Sequence, residues 1–371
     1  MSKNFVITGG GSIGKRHLKN LITLNIKKEN IFVLEPREDR VSELNALGIN
    51  NCIKDIKEFD DIPVKAAIIC SPTSYHIDQA IYFAKKKANL MIEKPLSRDL
   101  KNIDELKDIV LKNKLTTFIA YIFRFAPSIK FLRETLEKKI IGDIFFVRGE
   151  FSEYLPDWHP YEKYNSFYMS QKQLGGGSIL DQSHIMDLVH YLFGNFKSVM
   201  AFNNKLSGLE IEADDIAEMI VELDNGILAS IHTDIFGRKH SKSLEIKGSN
   251  GNIHWDFYKN TVSIYNAETK TLKIEENFDK DFNKVYIEEL KYFINCSENN
   301  TEAQPNLDVG IDTMKLIGNV EGKIVIMIDD IIDTAGTACS AANLLKKEGA
   351  TKIYFFACHG LFSRNALERI T

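Results

Sequence analysis

Three things are scarce in this 371-residue chain. The first is charge of one sign. The formal net charge is −4, and Lys and Asp/Glu are interspersed as on a solvated surface. Nothing in that balance suggests nucleic acid or an anionic membrane as a partner. The second is cysteine. Cys52, Cys70, Cys296, Cys339 and Cys358 are odd in number and lack the spacing of a metal site, so no metal is expected. Cys70 and Cys358 lie in apolar runs and read as buried thiols of a reducing compartment. The third is long apolar runs. No stretch reaches the roughly 18 residues of a membrane span. The run from Phe5 to Thr8 is too short for a secretory leader and leads straight into glycines. The expected address is the cytoplasm, and the length allows two domains with a fragment of a third.

What is present begins with "FVITGGGSIGKRHLKNL". An apolar strand, Phe5–Thr8, precedes Gly9, Gly11 and Gly14 at G-x-G-x-x-G spacing, with Ser12 and Ile13 between them. An amphipathic helix is expected to follow. Glycines here permit a tight turn and let backbone amides approach a pyrophosphate at the helix N-terminus. A second strand, Ile31–Leu34, ends in Glu35, about twenty positions beyond the last glycine, where a carboxylate can take ribose hydroxyls. Glu35 argues for NAD, because a 2′-phosphate would meet like charge. Arg37 leaves NADP open, since a nearby Arg can accommodate that phosphate. Two further strands, Ala66–Cys70 and Asn89–Ile92, are apolar at successive positions, as in a parallel sheet covered on both faces. They lead into "SPTSYH" and "EKPLS". Open α/β sheets bind ligands at that edge, so Ser71, Pro72, Thr73, His76 and Glu93 are expected beside the dinucleotide.

"GSIGKRHLKNL", "CSPTSYH" and "EKPLS", in this order, resemble the Gfo/Idh/MocA oxidoreductases. The resemblance extends over roughly residues 1–317. It implies an α/β chain: a Rossmann domain over 1–121, then an α+β substrate and oligomerisation domain over 122–317 with an open, mostly antiparallel sheet. It implies NAD(P)-dependent hydride transfer at a sugar or nucleotide-sugar carbon, and a homo-oligomer. The lysine of E-K-P contacts substrate in that family, which maps to Lys94. From the residues alone, Lys94 reads equally as a surface lysine at a strand end.

The middle of the chain carries an aromatic-rich loop with Tyr154, Trp158, Tyr161, Tyr164, Phe167 and Tyr168. Such a loop is either packing or a sugar-stacking wall, and Tyr154, Trp158, His159 and Tyr164 are the substrate candidates. "GGGSILDQSHIMDL" follows. Its spacing predicts one helix with Asp181, His184 and Asp187 or Leu188 on a shared face. A carboxylate and an imidazole projecting together can share proton transfer; the alternative is a capping acid and a core histidine. His184, Asp187 and His190 are not spaced to converge on a metal. The resemblance decides for catalysis. It implies that His184 takes the hydroxyl proton, Lys94 polarises the same oxygen, and Asp181 orients a hydroxyl or tunes Lys94. Asp181 and His184 stand one residue closer than in many members, like a subgroup with "EYLPDWHP"-type loops that looks like enzymes of bacterial surface-sugar pathways. Keeping Lys94 together with His184 argues against a non-catalytic, NAD-sensing protein. Hairpins are expected around "DNG" and "GSNG", and helices over 286–296 and 309–316.

The tail, about 318–371, is different. "KIVIMIDDIIDTAGTACSAANLL" reads as a strand, a loop and a helix start, with a second strand over 353–358. Helix N-terminal amides and Thr hydroxyls suit a 5′-phosphate. The paired acids suit ribose hydroxyls or Mg²⁺. Asp329, Asp330, Asp333, Thr334, Ala335, Gly336 and Thr337 form the candidate loop. This stretch resembles ribose-phosphate pyrophosphokinase, and a partial phosphoribosyltransferase-like βαβ segment is expected. About fifty residues rarely support an independent core, and the junction has no Gly/Ser/Pro linker. The reading is an orphaned fragment in a chimaeric or truncated product, ahead of a regulatory phosphoribosyl-pyrophosphate module or an active pyrophosphokinase.

Overall fold

The computed structural model describes residues 3–158, 163–318, 324–332, 335–347, 352–361, 363 and 366. His159, Tyr161, Asp333 and Thr334 lie outside the described residues. The first layer starts with β1 (Phe5–Thr8), α1 (Ser12–Thr23), β2 (Ile31–Leu34), α2 (Glu38–Ala46) and β3 (Cys52–Ile53). It continues through β4 (Ala66–Ile69), α3 (His76–Lys85), β5 (Asn89–Ile92), α4 (Ile103–Asn113) and β6 (Thr117–Ile119). All six strands are parallel, in the order β3-β2-β1-β4-β5-β6. Every residue of β1 and β4 is buried, because helices cover both faces. Leu18 and Leu21 of α1 pack on one face, and Ile81 of α3 and Leu106 of α4 on the other. Strand order reverses between β1 and β4. Their carboxyl ends carry Gly9 and Ser71, the crevice where such sheets take ligands.

The second layer begins with α5 (Pro127–Glu137), β7 (Ile144–Tyr154), α6 (Leu155–Trp158), α7 (Ser178–Asp181) and α8 (His184–Phe193). Strands β8 (Phe196–Asn204), β9 (Ile216–Leu223), β10 (Leu228–Asp234) and β11 (Phe236–Gly248) follow. The sheet closes with β12 (Gly251–Asp256), β13 (Thr261–Asn266) and β14 (Thr271–Glu275). Its order is β14-β13-β12-β11-β7-β10-β9-β8, with only β7 and β10 parallel. The two turns read from the sequence join β9 to β10 and β11 to β12. Alternation is clean in β9, where Ala217, Met219, Val221 and Leu223 face inward. The indole of Trp255 donates to Ser128 Oγ at 3.0 Å, fastening α5 across the sheet.

The chain then returns to the first layer. In α9 (Phe282–Asn299), Leu290, Phe293 and Cys296 join the core beneath β1 and β4. Ile119 N donates to the Pro305 carbonyl at 2.9 Å, and α10 (Leu307–Gly318) runs beside β6. In the tail, β15 (Ile324–Ile332) and β16 (Lys352–Gly360) form a parallel pair bridged by α11 (Gly336–Lys347). Among the described residues neither strand has another neighbour. No described helix is long and apolar enough to cross a membrane.

On the outer face of the large sheet, His232 lies between two carboxylates, Asp234 at 2.7 Å and Glu218 at 2.5 Å. The Asp234 hydrogen bond, aided by Glu218, raises its imidazolium to about 9. A raised folded-state value means the stabilisation is complete below the ordinary 6.5 and is lost as pH climbs through about 9. Thermal midpoints should therefore fall between those limits, and His232→Gln should flatten that slope in a pH series of melting curves.

Candidate active site

The site grows from the crevice between β1 and β4. Gly11 caps α1 without a side-chain bond, leaving the first-turn amides directed at the cleft. Gly9 has φ +90, and a Cβ there would lie 2.8 Å from the Cys70 carbonyl oxygen. At Gly14 a Cβ would come within 1.9 Å of the Gly9 carbonyl, so only glycine lets α1 approach β1 this closely. The resulting cleft measures about 750 Å³. Gly9, Gly11, Ser12 and Ile13 form its floor, Glu35 and Arg37 one end, and Ser71 and Pro72 the opposite wall. These residues fit a dinucleotide.

Several sequence candidates hold the cleft in shape. The Glu35 carboxylate is buried and accepts the amides of Gly10 at 2.7 Å and Arg37 at 3.0 Å. The Arg37 guanidinium holds Asp39 and keeps its carboxyl near 2. Arg40, which the sequence reading did not single out, also lines this end, 3.8 Å from Glu35. Thr73 and His76 are buried. The His76 ring bridges the carbonyls of Ser71 at 2.8 Å and Pro95 at 3.0 Å, tying the two strand ends together behind the cleft. Glu93 meets His17 of α1 at 2.7 Å and so braces the E-K-P turn against the nucleotide helix.

Lys94 projects from that turn toward the second layer. Its Nζ donates to the Asp181 carbonyl at 2.7 Å and to Asp181 Oδ1 at 2.8 Å. This corrects the expectation of one continuous helix. α7 stops at Asp181 and α8 starts at His184, with Gln182 and Ser183 between them. The Asp181 carbonyl, which a continuing helix would use, is instead taken by a lysine 87 positions away. Asp181 and His184 therefore meet across a break rather than on one helical face. Gly175, Gly176 and Gly177 lead into it. A Cβ on Gly176 would strike the Met169 carbonyl at 2.2 Å, and Asp214 accepts the Ile179 amide at 2.9 Å to start α7.

The His184 ring packs edge-on against Phe123 at 5.0 Å and Tyr121 at 5.9 Å. Its Nδ1 is buried without a hydrogen-bond partner, which leaves Nε2 as the nitrogen able to meet a substrate. Burial, reinforced by Lys94 and Lys242, pushes its protonation well below the usual histidine range. That shift favours the uncharged ring. Three residues onward, Asp187 is fully enclosed and receives Arg124 in a bidentate pair, Nη2 to Oδ1 at 2.6 Å and Nε to Oδ2 at 2.9 Å. His190 turns instead to Asn195 Oδ1. The three side chains do not converge, and no group of metal-ligating residues occurs among the described residues.

The aromatic loop divides. Trp158, Tyr164, Phe167 and Tyr168 pack over Leu155, Met169, Ile211 and Ile235 in a small core of their own. Tyr154 stacks beneath Arg238 at 3.9 Å, and Tyr164 accepts the Glu210 amide. Among the substrate candidates, Trp158 and Tyr164 pack in this small core and Tyr154 lies against Arg238. Phe167 and Tyr168 are the loop aromatics that line the cleft. Burial beside the charges of Asp181 and Glu93 drives the Tyr168 phenol far above its ordinary value. In the tail, Asp329 and Asp330 lie in β15, Ala335 is buried at φ +57, and Gly336 and Thr337 open α11.

Fold and cleft together define a dinucleotide-binding oxidoreductase. Residues 3–121 match the oxidoreductase family model with NAD-binding Rossmann fold, and residues 129–254 match the GFO/IDH/MocA C-terminal domain. The chain thus carries the N- and C-terminal domains of the GFO/IDH/MocA oxidoreductases, and residues 295–371 match the phosphoribosyl synthetase-associated domain. Myo-inositol 2-dehydrogenase of Thermotoga maritima is 28% identical over 302 residues, covering 78% of this chain and 86% of that protein. The tail is 55% identical over 60 residues to chloroplastic ribose-phosphate pyrophosphokinase 2 of Oryza sativa subsp. japonica, which is 16% of this chain but 15% of that relative. Among solved structures, levoglucosan dehydrogenase in complex with NADH and levoglucosan has TM-score 0.74 at 19% identity, covering 84% of this chain and 94% of that one.

Proposed function

We propose that this protein transfers hydride between a nicotinamide and a hydroxyl-bearing carbon of a sugar, cyclitol or nucleotide sugar, with Lys94, Asp181 and His184 as the reacting cluster. The observation that carries this is the Lys94–Asp181 contact, which joins the E-K-P turn after β5 to the end of α7, three residues before His184. A bound nicotinamide supplies the hydride acceptor. His184 Nε2 accepts the hydroxyl proton, Lys94 Nζ donates to the same oxygen as negative charge gathers on it, and Asp181 fixes Lys94. The inositol and levoglucosan specificities of the relatives support a polyhydroxylated ring as substrate. A place in surface-polysaccharide metabolism belongs to the same proposal.

His184→Ala should lower turnover by about 10²- to 10⁴-fold while NAD⁺ affinity stays close to wild type. Reduced-nicotinamide absorbance, followed with myo-inositol, levoglucosan and a nucleotide-sugar panel, measures the first; fluorescence titration measures the second. Unchanged turnover in His184→Ala would refute the assignment.

Within these 371 residues the tail is proposed to form no working phosphoribosyl-pyrophosphate site. Its two described strands lack further neighbours, and it spans 15% of the pyrophosphokinase relative. NAD⁺ at a hundred times its dissociation constant should stabilise the chain by about 2.7 kcal/mol. Phosphoribosyl pyrophosphate with Mg²⁺ should not; stabilisation by it would give the tail a working site.

A further inference from the structure

Across the site from Lys94, the inner face of the large sheet presents a second enclosed ion pair. Lys242 of β11 lies 3.1 Å from Glu153 of β7, with side chains only 15% and 12% exposed. Antiparallel register sets Lys242 beside Phe151. Glu153 also accepts from Gln182 Nε2 at 3.1 Å and from the Tyr258 hydroxyl at 2.6 Å. Gln182 is one of the two residues in the break between α7 and α8. The same carboxylate therefore holds both Lys242 and the segment that aims His184. The Lys242 ammonium sits among three rings, 5.5 Å from Phe151, 5.7 Å from Phe257 and 6.0 Å from Phe123. Phe123 is also the ring against which His184 stands edge-on. The mechanism above uses neither Lys242 nor Glu153, and neither lines the dinucleotide cleft.

The charges around His184 explain what the pair does. Lys94 and Asp181 face it from the cleft, each compensating the other. Asp187, further along α8, is neutralised by Arg124. Tyr121 and Tyr168 stay neutral in their buried settings. On the sheet side, Glu153 is shared among Lys242, Gln182 and Tyr258, and the Lys242 ammonium also faces three aromatic rings. A protonated imidazole would add a cation there, which a neighbouring ammonium opposes.

We propose that Lys242 is a positioning residue for His184: through Glu153 and Gln182 it fixes the helix break that aims the imidazole, and its charge keeps that imidazole in the proton-accepting form. This rests on His184 as the base, yet its test needs no turnover. The NAD⁺-bound enzyme is titrated by histidine Cε1–H NMR, with the His184 signal assigned by its loss in His184→Asn. Lys242→Met should raise the His184 midpoint by about one pH unit. Lys242→Gln, measured alongside, covers a folding failure of the apolar variant. Lys242→Arg and Glu153→Gln, which keep the cation, should leave the midpoint no higher than wild type. The proposal is overturned if Lys242→Met and Lys242→Gln titrate with wild type, or if Glu153→Gln raises the midpoint as much as they do.

Discussion

Lys94→Met should abolish most of the activity, lowering kcat by about 10²- to 10⁴-fold with little change in NAD⁺ affinity. The lysine's stem is enclosed, 16% exposed, and its ammonium makes two hydrogen bonds to Asp181. Neither contact belongs to the nucleotide loop, so cofactor binding is spared. Methionine fills similar volume but donates nothing, and the developing oxyanion loses its cation. Lys94→Arg should not rescue, because a planar fork cannot occupy the site of a compact ammonium. Pre-steady-state hydride transfer with the best substrate of the panel is the measurement. A Lys94→Met enzyme within tenfold of wild type would remove the lysine from the mechanism. Combining Lys94→Met with Asp181→Asn should cost much less than the sum of the two, since the residues act as one unit.

The second large effect is on stability. Arg124→Met should destabilise the protein by about 3–5 kcal/mol. The Arg124 and Asp187 side chains are 9% and 1% exposed, so deleting the guanidinium strands a carboxylate that water cannot reach. Arg124 follows the last strand of the first layer, while Asp187 lies on α8 of the second, so the pair clasps the layers beside His184. Its stacking on Tyr191 at 4.5 Å is lost as well. Urea unfolding measures the change. The double variant Arg124→Met with Asp187→Leu should recover a large part of it, because an apolar pair of similar volume removes the desolvation penalty. A single variant as stable as wild type would show that the clasp contributes nothing.

Much of the first layer was legible from the chain, because its signals are local. A glycine loop, an acid after β2 and polar strand ends are each read from a few adjacent residues. The E-K-P turn was legible as a strand end, while its lysine read from the residues alone equally as a surface group. What escaped depends on contacts between distant residues. The spacing of Asp181 and His184 fits a helix, and only Lys94, 87 positions earlier, reveals that the helix breaks there. Lys242 and Glu153 look like ordinary strand residues until antiparallel register brings β7 beside β11. Arg124 and Asp187, 63 positions apart, carry no mutual signature. Phe167 and Tyr168 could have been noted, since they stand only a few residues before the glycine lead-in, but composition does not separate them from Tyr164 or Trp158. The tail strands were legible because unbroken apolar runs bounded by acids and glycine leave few alternatives.

The route of the chain has a mechanical consequence. It departs the first layer between Ile119 and Pro127 and comes back between Glu275 and Phe282, so the eight-stranded half is attached at two points. Besides these two crossings, the Arg124–Asp187 pair and a core shared by both layers hold the halves together. A protease that nicks either crossing leaves the other intact, so the fragments should co-migrate until denaturant is added. A replacement for the large sheet would need ends that reach the same two anchor points, and it would also have to resupply Phe167, Tyr168 and Gln171 to the cleft and an Asp181 for Lys94.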